Sequence, residues 1–293
     1  MFNFIAKPFG FVIQYIYNSL AFENYGIAII FFTIFVRILL LPLAIKQQKS
    51  MLMTQKIQPE IDAINKNYAG DREKIQEETS KLYSKYKVNP MSSCLPLLLQ
   101  FPIIIALYSV IRKPLTYIMG ISAEAITKLG EFVGNATGGA ALKDEIKIKD
   151  FFLQNTDKLP SVSEWISRGK LINMNFLGMN MGTTPAFNPG KITTNLVLYL
   201  PLLLIPILAA VTTFIQTKVT MAGNKNRKGE EAKPATQAQS MTKSMNYIMP
   251  FFTMFIAFTV PAGLGFYWII SNIFAIGQTV LINKMVQSKE EVI

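Results

Sequence analysis

Residues 25–45 read YGIAIIFFTIFVRILLLPLAI, an apolar stretch interrupted by one charged residue, Arg37. About 20 apolar residues allow a helix to cross a bilayer, so this stretch predicts a transmembrane helix with a kink at Pro42. Lys46 and Lys49 follow it directly. Hydrophobic residues make up 51% of the chain and charged residues 16%, against roughly 25% charged residues in soluble domains. We therefore predict an all-α polytopic membrane protein.

Four further apolar segments repeat this pattern. We expect five transmembrane helices, at residues 25–45, 94–113, 193–216, 244–260 and 264–283. The remaining segments are predicted to be an N-terminal interfacial amphipathic helix at 1–22, a cytoplasmic helical hairpin at 46–90, an extracytoplasmic segment at 114–192, a basic cytoplasmic loop at 217–243 and a cytoplasmic tail at 284–293. A signal peptide is the alternative for 1–22, but its only early charge is Lys7 and no clean cleavage site follows.

The polar segment 46–90 carries two apolar stripes at helical spacing. The first stripe comprises Ile57, Ile61, Ile64 and Tyr68, and the second comprises Ile75, Thr79, Leu82 and Tyr86. Ala69-Gly70-Asp71 between them is typical of a turn, with Asp71 as the N-cap of the second helix. Since the two narrow stripes can pack on each other, the pattern favours a hairpin over two independent surface helices.

Basic residues are distributed unevenly between the two sides that five spans define. The segments 46–90 and 217–243 fall on one side and carry fifteen Lys and Arg, whereas 114–192 falls on the other and carries eight. Because basic loops remain on the cytoplasmic side, this predicts an outside N-terminus and a cytoplasmic C-terminus. These loops explain the net charge of +11, and we expect no direct nucleic-acid specificity.

Arg37 lies deep inside the first predicted span. Along a helix it is roughly 18 Å from Tyr25 and 13 Å from Lys46, farther than an arginine side chain reaches to the membrane surface. At this depth an arginine costs about 2.5–3.5 kcal/mol on insertion scales. The residue therefore requires a specific environment.

Two interpretations of Arg37 remain open. An intramembrane acid would neutralise it, but none of the five predicted spans contains Asp or Glu. Alternatively, Arg37 faces a water-filled cavity that Gln100 and Gln216 line, with Ser271 and Asn272 as weaker candidates. Either glutamine has another possible role, bonding to a carbonyl freed by a nearby proline. The missing carboxylate favours the cavity, where the cation would attract an acidic segment of another molecule.

Several classes of chemistry are excluded by residue content. The chain has no His, and Cys94 is its only cysteine, so histidine-dependent catalysis and a His/Cys zinc site are excluded. Neither a P-loop nor a G-x-G-x-x-G motif occurs. We expect neither a metal nor a cofactor, and we do not expect an enzyme.

A set of motifs in order links the chain to a known family. They are Thr33 to Pro42 with Arg37 inside, Asn89-Pro90 followed by Cys94-Leu95-Pro96 and Leu99-Gln100-Phe101-Pro102, Asn175-Phe176-Leu177-Gly178, and Pro261 to Asn272. With the charged hairpin between the first two, they make the chain resemble the YidC-type membrane protein insertases (the YidC/Oxa/Alb family) from about residue 20 to 285. The resemblance is to a compact bacterial form without a large periplasmic domain, in the plasma membrane.

The resemblance implies a five-helix core around a hydrophilic groove that opens to the cytoplasm and to lipid. It maps the groove arginine onto Arg37 and its polar partners onto Gln100, Gln216 and Trp268, although Trp268 could equally be a packing residue. It also implies a signature loop containing Pro261 and Gly263. Family members receive clients at the hairpin and work beside the Sec translocon and near the ribosome.

The residues and the resemblance together predict an insertase and chaperone for small membrane proteins. Its expected partners are nascent membrane proteins and the lipid bilayer. Insertion would need no nucleotide hydrolysis, and the protein would act alone or with the Sec translocon. The alternative function is a secondary transporter or channel for a small anion, which would leave the hairpin without a purpose. A purely structural subunit of a larger complex is a third possibility.

Overall fold

The computed structural model describes residues 3–88, 95–167, 171–186, 189–221 and 248–290. These residues are mostly helical. The helices are α1 (Asn3–Ser19), α2 (Tyr25–Leu39), α3 (Leu41–Lys56), α4 (Gln58–Asn67), α5 (Arg72–Lys85), α6 (Leu95–Arg112), α7 (Pro114–Tyr117), α8 (Ala123–Thr137), α9 (Glu145–Gln154), α10 (Pro189–Thr194), α11 (Leu196–Leu202), α12 (Leu204–Met221), α13 (Ile248–Ala257) and α14 (Ala262–Glu290). A 3-10 helix covers Thr156–Val162. The predicted loop at 217–243 lies mostly outside the described residues, as do Asn89, Pro90 and Cys94.

Among the described residues, two helical stretches are long and apolar enough to cross a membrane, Leu196–Thr220 and Ala262–Met285. The pair α2 and α3 is a third candidate if it forms one bent span. Gln100–Arg112 and Ile248–Ala257 are shorter apolar helices. These lengths fit a helical membrane protein, whereas the arrangement of five spans stays a prediction.

The first predicted span differs from one continuous helix over 25–45. The helix is interrupted at Leu40, and α2 and α3 meet at an angle of 63°. Pro42 lies in the first turn of α3, where its missing N–H would in any case have no partner inside the helix. The proline therefore begins a second helix, which extends to Lys56 and into the segment predicted to be the hairpin.

The chain divides into two compact units. The first unit comprises residues 1–36, 101–209 and 253–270, and the second comprises 37–100, 210–252 and 271–293. The helices that contribute residues to both units are α2, α6, α12, α13 and α14.

In the first unit, α1 packs closely on α7. A Cβ atom at Gly10 would lie 2.1 Å from the carbonyl oxygen of Tyr117, so only glycine permits this approach. A minimal β-hairpin follows farther along the chain, where β1 (Asn175–Phe176) pairs antiparallel with β2 (Met179–Asn180). Gly178 takes a positive φ of 77° in the turn, which glycine adopts without strain.

In the second unit, α4 and α5 form a hairpin around a small apolar core. Its buried residues are Ile57, Ile61 and Leu82, and the partly buried residues against them are Ile64, Tyr83 and Tyr86. The Asp71 side chain accepts a hydrogen bond from the backbone N–H of Lys74 and caps α5. Five of the eight predicted stripe residues lie in this core, whereas Tyr68, Ile75 and Thr79 are not among its residues and Tyr83 joins it unpredicted. The predicted N-cap at Asp71 is present.

Candidate functional site

Arg37 and Ser271 are brought together within the second unit. The Nε of Arg37 donates a hydrogen bond to Ser271 Oγ at 3.1 Å, and its Nη2 donates to the same oxygen. Ser271 is buried, with 1% of its surface exposed, and Arg37 is half-buried. Arg37 lies in the last turn of α2, where the carbonyl end of the helix dipole favours a cation.

Asn272, the next residue on α14, connects this helix to α12. Its Nδ2 donates to the hydroxyl oxygens of Thr212, at 3.2 Å, and Thr213, at 2.9 Å. Neither threonine was a predicted site residue. An adjacent pair of hydroxyls inside an apolar span was the available signal, but sequence does not show which helix such a pair contacts.

The predicted glutamines take different positions. Gln216 Nε2 donates to the hydroxyl of Thr220 at 3.5 Å, and that hydroxyl donates to the backbone carbonyl of Gln216 at 2.8 Å. Its amide is therefore engaged along α12 itself. Gln100 is half-buried on α6 in the same unit and takes no part in the hydrogen bonds just described.

The remaining predicted residues belong to the first unit. Trp268 is half-buried on α14, and no described contact assigns it a role. Pro261 and Gly263 are buried where α14 begins. The N–H of Ala262 donates to the carbonyl of Thr183 at 2.8 Å, and the N–H of Gly263 donates to that of Met181 at 2.7 Å. These bonds satisfy donors that have no partner within the helix itself.

The β-hairpin holds the start of α14 also through side chains. The Phe176 ring lies 5.3 Å from the Phe266 ring, centroid to centroid. On α2, Gly26 leaves the space that the Phe176 ring fills, because a Cβ there would lie 2.1 Å from Phe176 Cγ. The same few residues therefore contact two of the apolar helices.

A buried charge cluster supports the β-hairpin. Lys149 is fully buried and forms an ion pair with Asp150. The second Asp150 oxygen accepts a hydrogen bond from Asn180 Nδ2 at 3.0 Å, and Asn180 Oδ1 accepts one from the N–H of Gly182 at 2.9 Å. Burial lowers the pKa of Lys149, and Asp150 opposes this shift. Sequence reasoning assigned this lysine no role because nothing in its neighbours predicts full burial.

The arrangement around Arg37 is suited to binding, not to covalent chemistry. A guanidinium stays protonated at any physiological pH, so Arg37 is a fixed positive charge. Ser271 is a neutral partner, and this contact does not cancel that charge. No group of three or more His, Cys, Asp or Glu side chains in the described ranges is arranged to hold a metal ion.

Comparison with known proteins agrees with the sequence resemblance. The family model described as 60Kd inner membrane protein matches residues 16–290. The chain is 31% identical to membrane protein insertase YidC 2 of Listeria innocua, over 99% of this chain and 74% of that protein. It is 28% identical to membrane protein insertase MisCA of Bacillus subtilis, over 96% of this chain and 78% of the relative.

A longer relative also matches. Membrane protein insertase YidC of Pelobacter propionicus is 30% identical over 97% of this chain but only 39% of its own length. The names of all three relatives describe an insertase and not an enzyme. The chain thus belongs to the 60Kd inner membrane protein family, as the motifs around Arg37 and the start of α14 predicted.

Proposed function

We propose that this protein inserts small integral membrane proteins into the bacterial plasma membrane and assists their folding. The observation that carries the proposal is the contact between Arg37 and Ser271, a fixed cation on a buried neutral hydroxyl between apolar helices. An arginine at such a depth marks a path for polar or charged groups. The insertase names of its relatives indicate what moves along that path.

The client in this mechanism is a nascent protein with a short acidic outer tail and one apolar segment. Arg37 lies in a hydrophilic groove within a core of five membrane helices, and Gln100, Gln216 and Asn272 supply neutral polar surface. The groove shortens the apolar barrier that the tail crosses. The α4–α5 hairpin receives the client on the cytoplasmic side.

The energies involved make binding to Arg37 reversible. Two opposite charges 4 Å apart attract by about 4 kcal/mol at an effective dielectric constant of about 20. A membrane potential that is positive outside favours outward movement of each negative charge by about 2.3 kcal/mol per 100 mV. Because the two terms are of the same order, the potential can draw a tail away from Arg37. The apolar segment leaves sideways into lipid, driven by hydrophobic transfer.

No step in this mechanism requires nucleotide hydrolysis. The protein acts alone on the smallest clients and beside the Sec translocon and the ribosome on others. Its N-terminus lies outside and its C-terminus in the cytoplasm, as the distribution of basic residues favours.

The test measures insertion of a single-span client with an acidic tail into liposomes by protease protection. The samples are empty liposomes and liposomes with wild type, Arg37→Ala, Arg37→Lys or Arg112→Ala. Arg112→Ala is the matched control, because it removes an arginine from the last turn of another apolar helix, α6.

We expect wild type to exceed empty liposomes and Arg37→Ala to lose about tenfold, equivalent to about 1.4 kcal/mol. Arg37→Lys should retain much of the activity if charge alone matters, and less if the guanidinium fork is required. Equal insertion by wild type and Arg37→Ala would remove the electrostatic role of Arg37. Wild type no better than empty liposomes, with acidic-tailed and neutral-tailed clients alike, would overturn the proposal and favour the anion transporter or the structural subunit.

A further inference from the structure

The turn between α1 and α2 has a conformation that its residues rarely adopt. The N–H of Asn24 donates to the carbonyl of Ala21 at 2.8 Å, and the two residues between them, Phe22 and Glu23, take φ values of 50° and 56°. Two consecutive positive φ values are those of a type I′ turn, in which glycine, asparagine and aspartate are favoured. A phenylalanine at the first central position is therefore strained, and its side chain is 89% exposed.

The β-hairpin repeats this arrangement. Its strands pair Phe176 with Met179, and the two residues between them, Leu177 and Gly178, take φ values of 50° and 77°. Leu177 occupies the first central position, as Phe22 does in the other turn, and it is 77% exposed. Glycine suits the second position, whereas leucine at the first gains nothing from the turn itself. Both turns thus present a large apolar side chain at a conformational cost, which indicates a role outside the fold.

Both turns lie beside the start of α2 in the first unit. Phe22 precedes this helix by three positions, and the Phe176 ring, next to Leu177, fills the space beside Gly26. The chain directly after β2 also accepts hydrogen bonds from the first residues of α14. Helix α14 is long and apolar enough to cross a membrane, and α2 is part of the bent candidate span. A membrane that these helices cross therefore has its surface at the level of the two turns.

Lipid is the occupant that this position favours for the exposed side chains. At a membrane surface, phenylalanine and leucine gain free energy by entering the boundary between headgroups and acyl chains, whereas in water they gain none. Phe22 ends the segment predicted to be an interfacial helix, so its contact with lipid continues that surface. Leu177 lies outside every segment that the sequence predicted to touch the membrane.

We propose that the turns at 21–24 and 176–179 form a membrane anchor, here named the turn anchor, whose Phe22 and Leu177 side chains insert into the lipid leaflet where α2 and α14 begin. The anchor holds the β-hairpin at the membrane surface. It does not depend on the proposed insertase function, because it requires only a bilayer and no client.

The first test measures the surroundings of positions 22 and 177 in the full-length protein. Phe22→Cys and Leu177→Cys are made in a Cys94→Ala background, labelled with an environment-sensitive fluorophore and reconstituted into vesicles of phosphatidylethanolamine and phosphatidylglycerol. The quenchers are lipids with a nitroxide near the top of the acyl chain, and iodide on both sides of the membrane. Ser161→Cys is the control, because it is an exposed position of the same unit in a polar 3-10 helix.

We expect the lipid nitroxide to quench the label at 22 and 177, and iodide to quench it at 161. Quenching at 177 by iodide and not by the lipid nitroxide would overturn the proposal, because the side chain would then lie in water. Protection at 177 from both quenchers would also overturn it and favour contact with a second copy of the chain.

The second test uses the double variant Phe22→Asn/Leu177→Asn. Asparagine adopts positive φ more readily than phenylalanine or leucine, so the turns themselves become less strained and the variant is expected to fold. The measurement is amide hydrogen exchange of residues 17–24 and 174–181 in the same vesicles, with helical content checked by circular dichroism. Lys87→Asn is the matched control, because Lys87 is also exposed with a positive φ of 53° but has a charged side chain.

The two accounts of the turns predict opposite signs. A purely structural role predicts unchanged or slower exchange in the double variant, because strain is relieved. The turn anchor predicts exchange about tenfold faster, because the loss of lipid contact by large apolar side chains outweighs that relief. Lys87→Asn should show unchanged or slower exchange around residue 87. Exchange in the double variant that is no faster than in wild type would refute the anchor and leave the proposed function untouched.

Discussion

Gly26 provides a direct test of how the β-hairpin holds the apolar helices. In the Gly26→Ala variant the new Cβ would lie 2.1 Å from Cγ and 2.4 Å from both Cδ atoms of the Phe176 ring. An ordinary contact begins near 3.4 Å, so the ring must retreat by about 1.3 Å. The Phe266 ring also contacts the Phe176 ring, with 5.3 Å between the two centroids, and it limits that movement.

The expected cost follows from two opposing terms. Overpacking a well-packed site costs about 1–3 kcal/mol. Replacing glycine by alanine inside a helix returns about 0.5–1 kcal/mol of conformational free energy. Crowding prevails, and we expect Gly26→Ala to lower stability by about 0.5–2 kcal/mol, or a few degrees in apparent melting temperature.

The assay is thermal unfolding in detergent, followed by far-UV circular dichroism and by tryptophan fluorescence. Both tryptophans, Trp165 and Trp268, lie in the same unit as Gly26. Gly277→Ala is the matched control, because nothing lies within 4 Å of a Cβ at that helical position, and it should melt at or above the wild-type temperature. In a Phe176→Ala background, Gly26→Ala should no longer destabilise. A Gly26→Ala protein that melts as high as wild type would refute the account of this contact.

Three further changes test other parts of the structure. Asp71→Ala removes the N-cap of α5 and should cost about 0.5–2 kcal/mol, seen as faster amide hydrogen exchange in α5; unchanged exchange would contradict the cap. Burial lowers the pKa of Lys149, so the folded protein releases the lysine proton at a lower pH than the unfolded chain does. The stability of the fold should therefore increase as the pH rises toward 10.5, the ordinary pKa of lysine. The melting temperature of wild type should accordingly rise with pH relative to Lys149→Met, and parallel curves would contradict this. Ser271→Asp places a carboxylate against Arg37 and should reduce insertion of acidic-tailed clients more than Ser271→Ala does, in the liposome assay; equal effects would argue against the fixed charge.

Local features of the fold were predictable from sequence because they depend on neighbours along the chain. The α4–α5 hairpin follows from apolar residues at helical spacing, and its N-cap follows from Asp71 after a turn. The break at Leu40 was only partly predictable. Pro42 indicates a disturbance, but whether a proline bends one helix or begins another depends on packing beyond the sequence window.

The segment at 114–192 was the least predictable part. The strands β1 and β2 have two residues each, too few for an alternating pattern, and the motif Asn175-Phe176-Leu177-Gly178 forms the first strand and the turn. Only the resemblance to the family identified this motif. Its contacts with Gly26 and Phe266 join residues far apart in sequence, and no local rule connects them.

The predicted site residues also differ in whether the local sequence or a contact between helices identifies them. Arg37 was identified from an energetic argument, because a charge at hydrocarbon depth requires a reason whatever the fold. Ser271 was a weaker candidate, since serine is common in helices and only its contact with Arg37 distinguishes it. Thr212 and Thr213 were missed because helix pairing determines which hydroxyls meet Asn272.

The partner chosen for Arg37 bears on how one protein can serve many clients. A carboxylate at position 271 would hold the guanidinium more strongly than a hydroxyl does, and it would also cancel the charge that an acidic tail must find. A serine fixes the direction of the side chain through two donors and adds no charge of its own. Under the proposed function, Arg37 and the neutral polar groups beside it would bind each passing segment weakly, as the release of every client into the lipid requires.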